Sequence, residues 1–231
     1  MYSQLIINGK PFRLRRTYKV VGALMDTHQH SLKSNLVLCV GQQKSGTSLL
    51  YSQFLDQNVN LNIHESYRDY KLTSSSFDFD RYINSFRSTL YSTFIDVDNS
   101  IYNIHCVPLQ ELKNHFNIKV IYTVRDPIEQ FKSHYSMSHE NGYHTDANMF
   151  RHERNLIEWL EHFDTFCLFL EDLQLEKLQQ WLGFTINLNR NIVNPGKKIE
   201  MDVNESFEST YSFFNKKYGK KYIKSIWPNA I

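Results

Sequence analysis

Residues 41–48 of the chain read Gly-Gln-Gln-Lys-Ser-Gly-Thr-Ser, a composition that suits the binding of a phosphate or sulfate group. The segment follows the apolar run 36–40, which predicts a buried strand, and it precedes a predicted helix. At such a junction the free backbone N–H groups and the helix dipole favour an anion. Lys44 adds a positive charge, and Gly46 lets the backbone approach closely. The predicted ligands of the anion are Gln43, Lys44, Ser45, Gly46, Thr47 and Ser48.

This segment differs from the phosphate loop of proteins that hydrolyse ATP or GTP. That motif ends in Gly-Lys-Ser/Thr, whereas here Gly46 is followed by Thr47 and the lysine lies two residues before the glycine. No carboxylate after a strand is well placed to hold the Mg²⁺ on which triphosphate hydrolysis depends. We therefore expect a site without a metal. A nucleotide kinase or NTPase stays as the alternative enzyme class, and an ordinary Gly/Ser-rich turn as the structural one.

A second predicted anion site lies at the end of another strand. The apolar segment 118–124 stops at Arg125, an Asp-Pro pair then starts a helix, and Ser133 lies eight residues after the arginine. Ligands of open α/β sheets gather at the carboxyl ends of the strands, so Arg125 should face the same crevice as segment 41–48. An arginine binds phosphate with a bidentate fork. The alternative is a local ion pair of Arg125 with Asp126 or Glu129.

Together these motifs resemble those of the PAPS-dependent sulfotransferases (PAPS is 3′-phosphoadenosine-5′-phosphosulfate). Segment 44–48 is similar to the 5′-phosphosulfate loop of the cytosolic branch, and segment 120–127 with Ser133 resembles the 3′-phosphate strand and helix. Segment 169–173, together with the later pair Leu182-Gly183, is similar to a strand–helix junction of the same family. The resemblance covers roughly residues 35–184. It implies PAPS as the donor, PAP as the product, and a small-molecule or carbohydrate acceptor.

The chain departs from that family pattern at three places. Leu49 stands where the cytosolic loop has a tryptophan that stacks on adenine, and Leu170 stands where a tyrosine is usual. The Arg-Lys-Gly segment that closes over the 3′-phosphate is missing, and the nearest substitute contains Lys197 and Lys198. These departures keep a third alternative open, a nucleotide-binding module that has the fold without the chemistry.

Sulfuryl transfer needs in-line positioning, a cation on the developing charge and a base for the acceptor proton. Lys44 is the predicted cation. For the base, His105 lies in a setting similar to the Lys-Thr-His-Leu-Pro segment of the cytosolic branch, and an imidazole titrates near neutral pH. Glu65 resembles the catalytic glutamate of the carbohydrate branch. The choice between the two residues stays open, with a buried histidine and a solvated glutamate as the structural alternatives.

The elements that position these residues alternate between strand and helix. Apolar strands at 36–40, 118–124 and 163–170 are each followed by a predicted helix, at 46–57, 127–137 and 171–182. This alternation predicts an α/β fold, a three-layer sandwich with a central parallel sheet flanked by helices and a P-loop-type site. Residues 1–34 are predicted to form an N-terminal hairpin and linker packed on the core, and residues 35–231 a single domain.

Composition limits the function classes further. The 231 residues carry a net charge of +2, which gives no electrostatic case for binding nucleic acid. The sequence contains no stretch of 18 or more apolar residues, so it predicts no membrane-spanning helix. Three well-separated cysteines, Cys39, Cys106 and Cys167, favour reduced thiols. We therefore expect a cytoplasmic enzyme that binds neither nucleic acid nor membrane, and the sequence leaves its oligomeric state open.

Overall fold

The computed structural model describes residues 4–7, 10–13, 34–55, 57–62, 82, 86, 91–97, 112–140, 145–184 and 201–230. Its strands are β1 (Gln4–Ile7), β2 (Lys10–Arg13), β3 (Ser34–Gly41), β4 (Asn60–Leu61), β5 (Thr93–Val97), β6 (Phe116–Val124) and β7 (Asp164–Phe169). Its helices are α1 (Thr47–Phe54), α2 (Pro127–Glu140), α3 (Glu153–His162), α4 (Leu175–Leu182), α5 (Glu208–Tyr218) and α6 (Lys220–Ile226), with a 3₁₀ helix at Ala147–Phe150. Among the described helices, none has the length and apolar character needed to cross a membrane.

Five strands form a parallel sheet in the order β4-β5-β3-β6-β7. Its central strand, β3, pairs with β5 on one side and with β6 on the other, and β7 pairs with β6. A strand in this position is covered on both faces, which explains why the run 36–40 is continuously apolar and wholly buried. The predicted parallel sheet is confirmed.

Successive side chains of the strands point to opposite faces, and a separate apolar core covers each face. Leu36, Leu38 and Val40 of β3 join the larger core, which also contains residues of α2, α3, α5 and α6. Val37 and Cys39 join the smaller core, built with residues of α1 and α4. Helices therefore lie on both faces, and the predicted three-layer sandwich is confirmed.

Three predictions of local structure differ from the observed elements. The helix expected from residue 171 begins only at Leu175, because Glu171 uses its carboxylate to bind two distant N–H groups. The helix predicted over 46–57 ends already at Phe54, and the next residue, Leu55, is 46% exposed. Strand β5 and helix α3 were not predicted at all. In β5, an aspartate interrupts the apolar pattern.

At the N-terminus, β1 and β2 pair as an antiparallel hairpin in which Ile7 faces Lys10. The rest of the predicted hairpin and linker, residues 14–33, lies outside the described part of the chain. How the hairpin relates to the domain at 35–231 stays a prediction. Cys39 and Cys167 are free thiols, and Cys106 lies outside the described residues.

The end of β3 packs so closely on β6 that only a glycine fits there. A Cβ on Gly41 would lie 2.7 Å from Ser45 Oγ and 2.8 Å from the Thr123 carbonyl oxygen, and closer still to Thr123 Oγ1. Two of these atoms belong to a sheet strand that cannot move without disturbing its neighbours. The glycine thus allows the strand ends, and the loop between β3 and α1, to approach each other.

We expect Gly41→Ala to lower the free energy of unfolding by about 3 kcal/mol, because the methyl group overpacks a rigid strand end. Gly183→Ala is the matched control, since Gly183 has a φ of 83° and no atom within 4 Å of an added Cβ. That variant should lose only the cost of a left-handed backbone, about 1 kcal/mol. Denaturant titration measures both, and equal losses would contradict the assignment of crowding at Gly41.

Candidate functional site

The loop between β3 and α1 is folded back on itself by Ser45. The Ser45 N–H donates to the Gln42 carbonyl oxygen at 3.1 Å, and its hydroxyl donates to the same oxygen at 2.6 Å. The hydroxyl also lies 2.6 Å from Thr123 Oγ1 on β6, and Thr123 donates onward to the Val40 carbonyl oxygen at 3.2 Å. Ser45 is 1% exposed. The Ser45 side chain therefore shapes the loop. In this conformation its hydroxyl is engaged within the protein and does not serve as the predicted ligand of an anion.

Two residues of the loop have left-handed backbone angles. Lys44 has a φ of 66° and Gly46 a φ of 108°, both in the left-handed region. A lysine in that region costs free energy and persists only where its neighbours hold it. Gly46 caps α1, whose first N–H groups, beginning with that of Thr47, have no partner within the helix. The predicted strand–loop–helix geometry for an anion is thus present.

Arg125 and the loop meet at the carboxyl edge of the sheet. Arg125 directly follows β6, and its Nη1 donates to the Lys44 carbonyl oxygen at 3.4 Å. Ser133 lies half-buried two turns into α2, the helix that begins beside the arginine. The structure therefore brings segment 43–48 and Arg125 to one crevice, with Ser133 on the adjoining helix.

Four predicted site residues lie outside the described part of the chain. They are Glu65, His105, Lys197 and Lys198. Their roles stay predictions.

A polar network on α2 lies behind the loop. The Gln130 Nε2 donates to the Gln43 carbonyl oxygen, and His134 Nε2 lies 3.0 Å from Gln43 Oε1. On their far sides, Gln130 Oε1 lies 2.8 Å from His152 Nε2, and His134 Nδ1 lies 3.2 Å from Thr145 Oγ1. Gln130 is 0% exposed and His134 5% exposed. This network was not predicted from the sequence. Its only signal there is a pair of polar residues at 130 and 134, one turn apart on a helix that also carries apolar residues.

The histidines of this network are neutral near pH 7. Burial is the main cause that lowers the pKa of His134, and the charge of Lys44 lowers it further. Burial alone accounts for the lowering of the His152 pKa to about 3. The Gln43 carbonyl oxygen can only accept, so the Gln130 NH₂ group lies toward the loop and Gln130 Oε1 toward His152. A neutral His152 that meets this oxygen donates to it from Nε2.

Asp126 joins the arginine segment to the C-terminal helices. Its Oδ1 accepts from the Ile128 N–H at 3.0 Å, which is the predicted cap of α2, and from the Tyr211 hydroxyl at 2.8 Å. Its Oδ2 accepts from Asn229 Nδ2 at 3.1 Å. The Asp126 carboxylate is thus hydrogen-bonded to the start of α2 and to two residues of the C-terminal part of the chain. Burial, followed by the charge of Asp126, raises the pKa of Tyr211.

Two carboxylates after β7 complete the attachment. Glu171 accepts from the Asp126 N–H and from Trp227 Nε1, each at 3.0 Å. Asp172 accepts from the Tyr222 hydroxyl at 2.9 Å. Burial is the largest of the effects that raise the pKa of Glu171. These contacts hold the C-terminal helices over the strand ends from which Arg125 emerges.

Beside the loop lies a small apolar recess. It is lined mainly by Leu49, Leu50, Leu168, Leu170 and Leu173, with Gly46 and the Ser45–Thr123 pair at its floor. An added Cβ on Gly46 would lie 2.9 Å from Leu170 Cδ1, so the recess and the loop share a wall. Leu49 and Leu170, the two leucines that depart from the family pattern described above, both line this recess. Within the described ranges, no group of three or more His, Cys, Asp or Glu side chains is placed to hold a metal ion.

Comparisons with known proteins give one family. A sequence model described as the sulfotransferase domain matches residues 34–231. A sulfotransferase of Alicyclobacillus acidocaldarius is similar in structure, with a TM-score of 0.51 over 87% of this chain and 98% of that one, at 12% identity. A structure of mouse sulfotransferase SULT7A1 complexed with PAP gives a TM-score of 0.45 over 80% of this chain and 69% of that one, at 17% identity. No curated protein matches in sequence.

His152 makes the fold sensitive to acid. Its pKa of about 3 lies below the usual 6.5, so the unfolded chain takes up the proton first as the pH falls. Stability from this group is complete above pH 6.5 and is lost progressively toward pH 3. Between pH 6.5 and pH 5 we expect it to remove about 2 kcal/mol of unfolding free energy. Denaturant titrations across this range should show a smaller loss for His152→Gln, and identical pH slopes for both proteins would contradict the prediction.

Proposed function

Because the chain belongs to the sulfotransferase family, we propose that it transfers a sulfuryl group from PAPS to an acceptor hydroxyl. One observation carries the choice of donor. The loop that follows β3 and the arginine that follows β6 are joined directly, with 3.4 Å between Arg125 Nη1 and the Lys44 carbonyl oxygen. A donor with phosphates at both its 5′ and 3′ positions needs two neighbouring anion sites, and this contact makes the loop and Arg125 neighbours.

We place the 5′-phosphosulfate on the loop and the 3′-phosphate on the arginine. The amides at the start of α1 and the Lys44 ammonium face the first group, with Gln43, Thr47 and Ser48 as further ligands. Arg125 and Ser133 bind the second, and Lys197 and Lys198 are proposed to close over it. Leu49 and Leu170 line the apolar recess beside the loop, and the adenine is proposed to pack against these two side chains.

The chemistry requires no metal. An acceptor oxygen attacks sulfur in line, the new S–O bond forms, and the bond from sulfur to the 5′-phosphate oxygen breaks. PAP leaves with the bonding electrons, and the acceptor proton passes to the base, His105 or Glu65. Lys44 stabilises the negative charge that grows on the departing oxygen. A cation in this position is worth about 10²-fold or more in rate, on the scale of one oxyanion donor.

The acceptor is proposed from the residues around the site. Segments 66–100 and 138–150 are candidates for its walls, by analogy with other sheets of this kind. Both contain tyrosine, serine and aspartate, which suit a sugar hydroxyl, and their aromatic residues suit a phenol. A cytoplasmic location is proposed on the cysteine pattern.

Ligand-induced stabilisation separates the three alternative functions. We expect PAP at 100 times its Kd to stabilise the protein by about 2.7 kcal/mol, because a ligand of the folded state raises apparent stability. ATP with Mg²⁺ should give a much smaller shift. Transfer is then measured with ³⁵S-labelled PAPS and two acceptors, 4-nitrophenol and N-acetylglucosamine, followed by a cell extract. Stabilisation by ATP–Mg²⁺ and not by PAP would overturn the proposal, and PAP binding without any transfer would favour the non-catalytic module.

Arg125→Ala tests the 3′-phosphate site in the same experiment. The variant should bind PAP at least tenfold more weakly, while its affinity for AMP, which lacks the 3′-phosphate, stays within a factor of two. Arg154→Ala removes an equal charge from the exposed face of α3 and should leave both affinities unchanged. Equal losses for PAP and AMP in Arg125→Ala would contradict the assignment.

The base is identified by comparing two single substitutions. His105→Ala or Glu65→Ala should lower turnover by 10²-fold or more while PAP affinity changes little, because a general base contributes 10²–10⁴-fold in rate. The residue whose loss has this effect is the base, and the pH–rate profile of that variant should lose the acid limb, which is the fall in rate at low pH. Wild-type turnover in both variants would exclude both residues.

A further inference from the structure

We propose that His134 and Gln130 are positioning residues, which hold the Gln43–Lys44 peptide so that Lys44 meets the sulfuryl group during transfer. This inference rests on the proposed function, and it assigns roles that the site residues above do not include. Neither side chain needs to touch the donor.

The first support is that the loop is held at its most strained point. Lys44 keeps a φ of 66°, which a non-glycine residue adopts only under constraint. The residue before it, Gln43, is bound both at its carbonyl oxygen, by Gln130, and at its side chain, by His134. The Lys44 carbonyl oxygen accepts from Arg125. Three side chains of one β6–α2 unit therefore bind two consecutive residues of the loop.

The second support is that the bonding atoms of Gln130 and His134 are themselves oriented. The Gln43 carbonyl oxygen can only accept, so it binds the Gln130 NH₂ group, and Gln130 Oε1 then lies 2.8 Å from Nε2 of the buried His152. The His134 ring lies between Gln43 Oε1 and Thr145 Oγ1, and it packs on Phe150 with 5.3 Å between ring centroids. Both groups are nearly excluded from water, so neither can exchange its loop contact for a solvent one.

The third support is that α2 serves both anion sites. Ser133, proposed for the 3′-phosphate, directly precedes His134 in the same helix. A displacement of α2 that opened the 3′-phosphate site would therefore also release the loop. While α2 stays in place, this one helix holds the two phosphates of the donor at a fixed separation.

Turnover and binding distinguish positioning from simple stabilisation. His134→Leu should lower kcat at least tenfold, while the Kd for PAP changes less than threefold, because Arg125 and the loop amides still bind the phosphates. His134→Gln should recover most of the rate, since its amide can donate to Gln43 Oε1. His115→Leu, at an exposed position just before the amino end of β6 and so at the edge of the sheet opposite Arg125, is the control and should have wild-type kinetics.

A double substitution tests whether the effect passes through Lys44. Residues that act as a unit are not additive, so His134→Leu should have no further effect on kcat in a Lys44→Ala background. If it lowers kcat by its full factor there, or if His134→Gln fails to restore the rate, the proposal is overturned. Gln43→Met removes the same hydrogen bond by changing its other partner, the half-buried Gln43 of the loop. It should reproduce the loss, and it replaces His134→Leu if that variant does not fold.

Wild-type turnover is measured first, with labelled PAPS and 4-nitrophenol or N-acetylglucosamine. Where neither accepts the sulfuryl group, release of PAP and sulfate into water is the rate measured. A wild-type protein without PAPS-dependent turnover would overturn the proposed function, and the positioning roles with it. An active wild-type protein with unchanged His134→Leu and Gln43→Met variants would overturn the positioning roles alone.

Discussion

Contact between the ends of β3 and β6 determines how the rest of the site is arranged. Gly41 at the end of β3 lies against Thr123 of β6, and the Ser45 hydroxyl bridges Thr123 and the Gln42 carbonyl oxygen. Both strands are buried, so no water competes for these bonds. The loop turns at Lys44, where the backbone is left-handed, and α1 begins directly after Gly46. The strand–loop–helix junction on which the proposed anion site depends therefore results from the packing of two strands.

The sequence predicted those parts of the site that depend on local pattern. A continuous apolar run marks a strand covered on both faces, and Gly46 and the Asp-Pro pair at 126–127 mark helix starts, so segment 41–48 and Arg125 could be placed at one edge. Contacts between distant segments leave no such pattern. A glutamine at 130 or a histidine at 134 has the same appearance in a solvated helix as in a buried one. Only the fold shows that these side chains lie against Gln43.

The same reason explains the wrong helix start at Glu171. Helix propensity favours a glutamate in the first turn, yet here the side chain binds the Asp126 N–H and Trp227 Nε1. Those partners lie 45 and 56 residues away along the chain. Tertiary hydrogen bonds to this carboxylate outweigh a local preference of a few tenths of a kcal/mol per residue. The missed strand β5 is comparable, since its buried Asp96 interrupts the apolar run.

The Asp126 carboxylate has a consequence for the order in which the protein assembles. Its partners Tyr211 and Asn229 follow it by 85 and 103 residues. During synthesis the central strands can pair while the segment that carries Arg125 still lacks the contacts that close its other side. Contacts of such high sequence separation form late and slow the final step of folding. The surroundings of Arg125 are therefore among the last features of the domain to form, and a partly made chain can contain a nearly complete sheet without them.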